Sequence, residues 1–273
     1  MSDPRLTPAN SRVAKRGLIE VPFGVTLVDG TPHTVSAEVA DLCSAPSGPR
    51  TRQLLRGEEV LVLETVDGWS FAESASGYVG YLAQEDRGEA VDVTHFVSTA
   101  STHGYVEEGF KGATQTSLPF GARVVVLDER RKFFETDAGF VPKGHLRPIE
   151  NPMSDPVTAA QMFFGVPYLW GGNSTRGIDC SGLISAAFAA CGSIVPGDSD
   201  LQCESLGSLL GSGKTPMRGD LMFWDGHVGL MVDEDVMLHA NAHHMACRYE
   251  PLEQAKLRIE AQGDGAMIAH KRV

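Results

Sequence analysis

The sequence lacks the features of a membrane-spanning or nucleic-acid-binding protein. Its 273 residues contain no apolar run near the roughly 20 residues that cross a bilayer, and residues 1–10 have no apolar segment typical of an export signal. The longest basic cluster is residues 130–132, and 23 Lys and Arg against 35 Asp and Glu give a net charge of −12. This charge disfavours phosphate backbones and anionic lipid surfaces. We therefore expect a globular cytoplasmic protein that binds neither nucleic acid nor membranes.

Cysteine is also scarce, with five residues at irregular spacing and no CxxC pair. An odd number without close pairs argues against a disulfide framework, and we expect reduced thiols. One zinc site stays open as an alternative, because His239, His243, His244 and Cys247 lie within nine residues. It would require the strand that carries His239 to continue past Asn241, which we do not expect. No metal or organic cofactor is predicted.

The first half of the chain contains an internal repeat. Residues 54–63 match residues 118–127, and residues 77–82 are echoed by residues 139–142. Each copy has short β-branched runs broken by turn signals, which predicts small β-barrels.

A proline-rich linker over 148–156 separates these copies from the rest of the chain. We predict an N-terminal segment with a first barrel over 1–91, a second barrel over 92–150 and a catalytic domain over 151–273.

The third domain begins with two predicted helices and continues with an antiparallel meander. Asp179 is a good N-cap, so Cys180 lies at the positive end of a helix dipole, where a thiolate is favoured. The helices are expected over 157–165 and 180–191, and the strands over 220–224, 227–232 and 236–241.

The register of the last two strands decides whether their histidines meet. A turn centred on Glu234 makes His227 and His239 diagonal neighbours on one face, with Gly229 opposite His239 leaving room between them. Cys180 would then be a nucleophile, His227 its base and His239 the group that orients the base. From spacing alone, a packed thiol and two satisfied strand histidines remain the alternative.

The third domain contains four motifs in order: Pro167–Gly172, Gly177–Leu183, Arg218–Leu221 and His227–Gly229. The first half contains Gly68-Trp69 and Gly77–Tyr81. The four motifs resemble the NlpC/P60 family of papain-like cysteine peptidases, and the elements of the first half resemble bacterial SH3 (SH3b) domains. The resemblance implies an α+β fold, with two small SH3-like β-barrels followed by a catalytic domain whose helices pack on an antiparallel sheet. It assigns the catalytic roles to Cys180, His227 and His239.

Further site residues come from the same resemblance. Tyr168 matches a tyrosine beside the nucleophile that can hydrogen-bond an oxyanion. Asp179 is expected to bind the free amine of the substrate as well as to cap the helix, and Ser181 to contact the substrate carboxylate or satisfy the first helical turn.

The first barrel differs from the second at two polar positions. Glu58 and Tyr78 correspond to Ala122 and Phe140 in the second copy. In the family branch resembled, a Glu and a Tyr of the first SH3b domain close the pocket over the substrate amine. We assign these roles to Glu58 and Tyr78. Rival residues in the same barrel are Glu59, Glu64 and Tyr81.

The resemblance implies a cysteine endopeptidase that hydrolyses the γ-D-glutamyl–diaminopimelate or –Lys bond of murein tri- or tetrapeptides with a free N-terminal L-Ala. Such a preference fits recycling of wall peptides, because the L-Ala amine is blocked in the intact wall. Two alternatives remain: a non-catalytic wall-peptide-binding module, and an acyltransferase or amidase that uses the same nucleophile. The sequence does not indicate an oligomeric state.

Overall fold

The chain folds into two compact units, residues 1–150 and 151–273. The computed structural model describes residues 3–211 and 213–273. The division after Glu150 falls inside the proline-rich segment, where the sequence places the start of the catalytic domain. Both predicted barrels belong to the first unit.

The first unit is built from short strands and lacks α-helix over its described residues, 3–150. Its short 3-10 helices are Pro4–Leu6, Gln84–Asp86 and Lys143–His145. Its strands are β1 (Val13–Lys15), β2 (Thr26–Val28), β3 (Thr31–Val35), β4 (Val39–Cys43), β5 (Arg50–Leu55), β6 (Glu59–Val66), β7 (Trp69–Ser74), β8 (Val79–Ala83), β9 (Arg87–Glu89), β10 (His95–Val97), β11 (Ser101–Tyr105), β12 (Thr114–Pro119), β13 (Arg123–Val124), β14 (Val126–Glu129), β15 (Phe133–Thr136), β16 (Gly139–Pro142) and β17 (Leu146–Pro148).

The first barrel is a seven-stranded sheet in the order β5-β4-β8-β7-β6-β3-β9. Leu42, Leu54 and Leu82 fill its core. The N-terminal segment, whose role the sequence left unread, contributes β3 to this sheet, while β1 and β2 form a separate parallel pair. In the second copy β10 occupies the place of β3, paired with β13 and β17, so the repeat extends beyond the matched motifs.

The second barrel repeats the strand sequence of the first. Strands β12, β15, β16 and β17 follow one another as β5, β7, β8 and β9 do, with a 3-10 helix before the last strand in both copies. Its strands form a five-stranded sheet, β12-β11-β16-β15-β14, and a three-stranded sheet, β13-β10-β17. Gly57 and Gly121 occupy equivalent left-handed turns, with φ of 80° and 85°, which explains the glycine shared by the two repeats.

The second unit combines helices with a six-stranded antiparallel sheet in the order β20-β25-β21-β22-β23-β24. Its elements are α1 (Pro156–Gln161), β18 (Asn173–Ser174), β19 (Gly177–Ile178), α2 (Cys180–Ala190), α3 (Ser199–Ser205), β20 (Ser208–Leu209), β21 (Leu221–Trp224), β22 (His227–Met231), β23 (Val236–Asn241), β24 (Ala246–Pro251), α4 (Leu252–Gln262) and β25 (Ala269–Arg272). The α+β class, with SH3-like sheets ahead of a papain-like domain, is confirmed. Over residues 3–211 and 213–273, no helix is long and apolar enough to cross a bilayer.

The predicted meander and its register are confirmed. Met231 pairs with Met237, and the Val232 amide donates to the Val236 carbonyl at 2.8 Å, as a turn centred on Glu234 requires. Helix α2 begins at Cys180 as predicted. Helix α1 ends earlier than predicted, at Gln161, because the chain then turns and reaches Gly165 in a left-handed conformation, with φ of 83°.

Contrary to the prediction, Gly229 does not leave room between the two histidines. A Cβ at this position would lie 2.3 Å from the sulfur of Met237, so the space goes to a core side chain rather than to the histidines. Met237 belongs to the cluster in which α4 packs on the sheet through Leu252 and Ile259. This packing places α4 beside the strands that carry the histidines.

Candidate active site

Cys180 lies at the first position of α2, where Asp179 caps the helix. An Asp179 carboxylate oxygen accepts from the Gly182 amide at 2.6 Å, which holds the start of the helix in place. The Cys180 side chain is buried, and its Sγ lies 3.9 Å from the carbonyl oxygen of Gly226 in the β21–β22 turn. The cap and the turn therefore define the position of the thiol.

The two predicted histidines form a direct pair. Nε2 of His227 lies 2.8 Å from Nδ1 of His239, and the ring centroids are 5.1 Å apart. His239 is completely buried, whereas His227 is partly exposed at the start of β22. The second ring nitrogen of His227, Nδ1, takes no part in this contact with His239.

Behind the pair lies an ionic group that the sequence argument missed. Glu250 on β24 lies 2.9 Å from Nε2 of His239, and Arg258 on α4 donates to both oxygens of Glu250 at 2.9 and 2.7 Å. Asn241 Nδ2 also approaches Nε2 of His239, at 3.1 Å. In the β23–β24 register, Arg248 is opposite His239 and Glu250 is two residues farther, so a recognised β24 would have revealed the diagonal contact.

The buried site favours uncharged partners at rest. Burial, reinforced by the charge of Asp179, raises the pKa of the Cys180 thiol to about 12, although backbone amides at the helix start act in the opposite direction. Burial, with His239 and Arg258, lowers the pKa of His227 to about 3. The thiolate predicted from the helix start alone is therefore outweighed, and the resting pair is a thiol and a neutral imidazole.

A cleft of about 370 Å³ opens onto this chemistry. Tyr168, Cys180 and His227 line it together, with Asp225 and Asp264 supplying acidic groups at its wall. Burial raises the pKa of Tyr168 well above its usual range, so its hydroxyl stays protonated and can donate. These groups can bind, attack and protonate a peptide carbonyl.

Asp179 and Ser181 are tied into the helix cap. The Ser181 hydroxyl donates to Asp179 at 3.0 Å, and the other Asp179 oxygen accepts from the Gly171 amide at 2.8 Å. Ser181 is buried, and neither residue is among those that line the cleft. Their capping roles are observed, and their substrate contacts stay predictions.

Glu58 and Tyr78 belong to the first unit. Tyr78 is buried in the core of the first barrel. Glu58 is partly buried, accepts from the Leu55 amide at 3.2 Å, and burial raises its pKa. Among the rivals, Glu64 is held by Arg12 and Asn10.

The zinc alternative loses its structural premise, since β23 ends at Asn241. His243 and His244 lie in the turn before β24, with their ring centroids 4.7 Å apart. Across residues 3–211 and 213–273, no three His, Cys, Asp or Glu side chains are grouped to hold a metal ion. All five cysteines are free thiols.

A cysteine at a helix start and a histidine pair on an antiparallel sheet define a papain-like cysteine peptidase. Comparison with known proteins identifies the family within this class. The NlpC/P60 family model matches residues 165–258, and the bacterial dipeptidyl-peptidase SH3 domain model matches residues 42–86. The chain therefore carries an NlpC/P60 cysteine peptidase domain with a bacterial SH3 domain ahead of it.

Individual relatives extend the match along the chain. A γ-D-glutamyl-L-lysine dipeptidyl-peptidase of Bacillus subtilis is 25% identical over 268 residues, covering 76% of this chain and 89% of the relative. Dipeptidyl-peptidase 6 of Lysinibacillus sphaericus is 36% identical over 85 residues, which is 31% of each protein. A solved NlpC/P60 family protein from Bacillus cereus shares the fold, with a TM-score of 0.73, 18% identity and coverage of 89% and 99%.

Proposed function

We propose that this cell-wall peptidase hydrolyses the bond between γ-D-glutamyl and the diamino acid, diaminopimelate or Lys, in short murein peptides that begin with a free L-Ala. The observation that carries the proposal is the hydrogen-bonded pair of His227 and His239 in one cleft with Cys180. The name of the Bacillus subtilis relative, which matches across both halves of the chain, supports the choice of bond.

The reaction begins with transfer of the thiol proton. Nε2 of His227 faces His239, so Nδ1 takes the proton while Sγ of Cys180 attacks the γ-carbonyl carbon. The carbonyl oxygen gains the displaced electron pair, and the Cys180 amide and the Tyr168 hydroxyl donate hydrogen bonds to it. Burial raises the pKa of Cys180 and lowers that of His227, so the neutral thiol and imidazole are favoured before substrate binds.

Two bond cleavages complete the turnover. His227 gives its proton to the amine of the diamino acid as the C–N bond breaks, leaving a thioester on Cys180. Water then loses a proton to His227 and attacks the thioester. The C–S bond breaks, the thiolate regains the proton, and L-Ala-γ-D-Glu leaves with a new carboxylate.

The first test is mass spectrometry of L-Ala-γ-D-Glu-diaminopimelate and of the Lys peptide after incubation with reduced protein. Wild type should release L-Ala-γ-D-Glu, Cys180→Ala should not, and an N-acetylated peptide should stay intact. Equal cleavage of the acetylated peptide would keep the peptidase and remove the free-amine requirement. A product joined to added amine, rather than hydrolysed, would favour an acyltransferase, and binding without cleavage would favour a binding module.

For the free-amine requirement we propose roles for Asp179, Glu58 and Tyr78, with the two carboxylates binding the substrate amine. Glu58→Ala should raise KM for the free-amine peptide and leave kcat unchanged. Glu59→Ala is the matched control, because Glu59 is the exposed first residue of β6, next to Glu58 in the chain. An unchanged KM in Glu58→Ala overturns the assignment to Glu58.

We also propose that the enzyme works in the cytoplasm on recycled peptides. A free-amine requirement supports this role, because it spares peptides still joined to the wall. Cell fractionation with an antibody to the chain tests the location, and recovery in the culture medium or the wall fraction would contradict it.

A further inference from the structure

The group behind the histidine pair is joined to His227 by a chain of hydrogen bonds through His239, and its Arg258 also lines the cleft. We propose that Glu250, clamped by Arg258, is a positioning residue that sets the tautomers of His239 and His227, so that Nδ1 of His227 faces the thiol as a base. The inference rests on the proposed role of Cys180, His227 and His239 as a peptidase triad, but not on the identity of the peptide.

The direction of each hydrogen bond follows from the carboxylate. Burial alone would raise the pKa of Glu250, but hydrogen bonds from Arg258 and His239 outweigh burial and hold it well below the usual range. An ionised carboxylate only accepts, so Nε2 of His239 donates to it at 2.9 Å. Nδ1 of His239 is then bare and accepts from Nε2–H of His227 at 2.8 Å. The lone pair of His227 is left on Nδ1.

A hydrogen bond donated by Asn241 to Nε2 of His239 would require the opposite tautomer of His239. Its Oδ1 accepts from the His244 amide at 2.8 Å, which turns Nδ2 toward Nε2 of His239 at 3.1 Å. If His239 accepted from Asn241, its proton would lie on Nδ1 and the chain of donors would reverse. Glu250 is the stronger partner, since its contact is charge-assisted and shorter.

Because the group is buried, the charge of the Glu250 carboxylate acts on both the His239 and the His227 ring. His239 is fully buried and Glu250 is 8% exposed, so water screens their interaction poorly. When His227 takes the thiol proton, the positive charge develops on a ring that already donates toward Glu250. Arg258 donates hydrogen bonds to both carboxylate oxygens of Glu250 and a further one to Gln262 at 2.7 Å. These bonds keep the carboxylate in place while the proton moves from Cys180 to His227.

A pH profile of this site reports several groups at once. His244 and Arg258 face His239, while Tyr168 and Asp179 face Cys180. The decisive test is therefore tautomer assignment in the wild-type protein by ¹⁵N NMR of the histidine rings. We expect a proton on Nε2 and none on Nδ1 for both His227 and His239. A proton on Nδ1 of His239 overturns the proposal, and no variant needs to fold for this result.

A second test compares Glu250→Gln with Asp220→Asn. The control carboxylate is also buried and bonded to a histidine and an arginine, but that histidine, His270, is not part of the His227–His239 pair. In Glu250→Gln the side chain has one oxygen instead of two to accept hydrogen bonds from Arg258, and its negative charge is lost. By analogy with the orienting carboxylate of serine proteases, acting here one ring farther away, we expect kcat to fall by about 100-fold with KM changed less than about threefold.

Cys180 alkylation by iodoacetamide, mapped by mass spectrometry against pH, gives a readout without substrate. In Glu250→Gln the neutral-pH rate should fall about tenfold and the profile should move to higher pH, because thiolate formation loses the supported imidazolium. Asp220→Asn should match wild type in both assays, and Glu250→Asp should recover part of the rate. Equal losses in Glu250→Gln and Asp220→Asn would indicate a purely structural role and overturn the proposal. If no murein peptide is cleaved while tautomers and alkylation behave as expected, the substrate proposal fails and the positioning role stands.

Discussion

Asp220 and Glu250 have the same arrangement of partners at two places in the catalytic unit. Each is a buried carboxylate between a histidine and a bidentate arginine: Asp220 with His270 at 2.7 Å and Arg272 at 2.7 Å, and Glu250 with His239 and Arg258. They differ in what the histidine reaches next. His239 contacts His227 in the cleft, whereas His270 lies on β25, outside the lining of that cleft.

The comparison separates stability from chemistry. A buried, fully bonded carboxylate stabilises only modestly, while loss of one partner is costly because a buried charge is left uncompensated. Both groups meet that condition, so both should resist substitution. Only the Glu250 group should also change the reaction, because its histidine is bonded to the base.

The largest effect should come from the histidines. His239→Ala removes the group that orients His227, and we expect kcat/KM to fall by about 10³-fold or more, in line with loss of a triad member. His270→Ala should leave kcat/KM within about twofold of wild type once the folded fraction is matched. Steady-state kinetics with thermal unfolding of both variants tests this, and an equal loss of activity would erase the distinction.

The arginines should differ in stability as well as in activity. The Asp220 side chain is 1% exposed and that of Glu250 is 10% exposed, but Arg272 is 39% exposed against 17% for Arg258, so loss of Arg272 opens its carboxylate to water more readily. We expect Arg258→Met to cost about 3 kcal/mol, and Arg272→Met clearly less. Only Arg258→Met should also lower kcat, by about tenfold, which corresponds to about 1.4 kcal/mol. Urea unfolding and kinetics would contradict the comparison if Arg272→Met were the more damaging change.

Acid should remove the stabilisation by Asp220. Burial opposes ionisation, but hydrogen bonds from Arg272 and His270 lower its pKa from 3.8 to about 2. A depressed carboxyl pKa contributes stability above its unfolded value and loses it as pH falls through the folded value, so about 2 kcal/mol should disappear between pH 4 and pH 2. Unfolding of wild type and Asp220→Asn across this range measures it, and parallel curves would contradict the prediction.

Gln262 should mark where the connected group ends. It accepts from Arg258 at 2.7 Å and bonds His243 at 3.2 Å, at the exposed end of α4. Gln262→Ala should change stability by less than about 0.5 kcal/mol and kcat by less than about twofold, since Arg258 keeps both bonds to Glu250. A tenfold loss of kcat would show that Gln262, which lines the cleft together with Arg258, belongs to the positioning network.

The barrels show how far a repeat can be read. Matching motifs predicted two copies, and equivalent left-handed glycines at Gly57 and Gly121 account for the shared turns. The contribution of Thr31–Val35 to the first sheet was not predicted, because β3 pairs with β6 and β9 across long loops and lies outside the matched motifs; its counterpart in the second copy, β10, pairs with β13 and β17 in the same way.

The sequence by itself determined the features set by neighbouring residues. Asp179 caps α2 and places Cys180 at its start, and a short turn at Glu234 sets the strand register that brings His227 to His239. These depend on local hydrogen bonds and on the twofold alternation of a strand, so they can be read without knowing the fold.

Tertiary structure alone decided what surrounds those residues. Glu250 meets His239 only because β24 turns back beside β23, and Arg258 reaches Glu250 only because α4 packs on the sheet. The neutral resting state of Cys180 and His227 also follows from burial, which no motif records. Desolvation and long-range contacts are properties of the assembled core, and for that reason the protonation of this site is fixed by the fold rather than by its motifs.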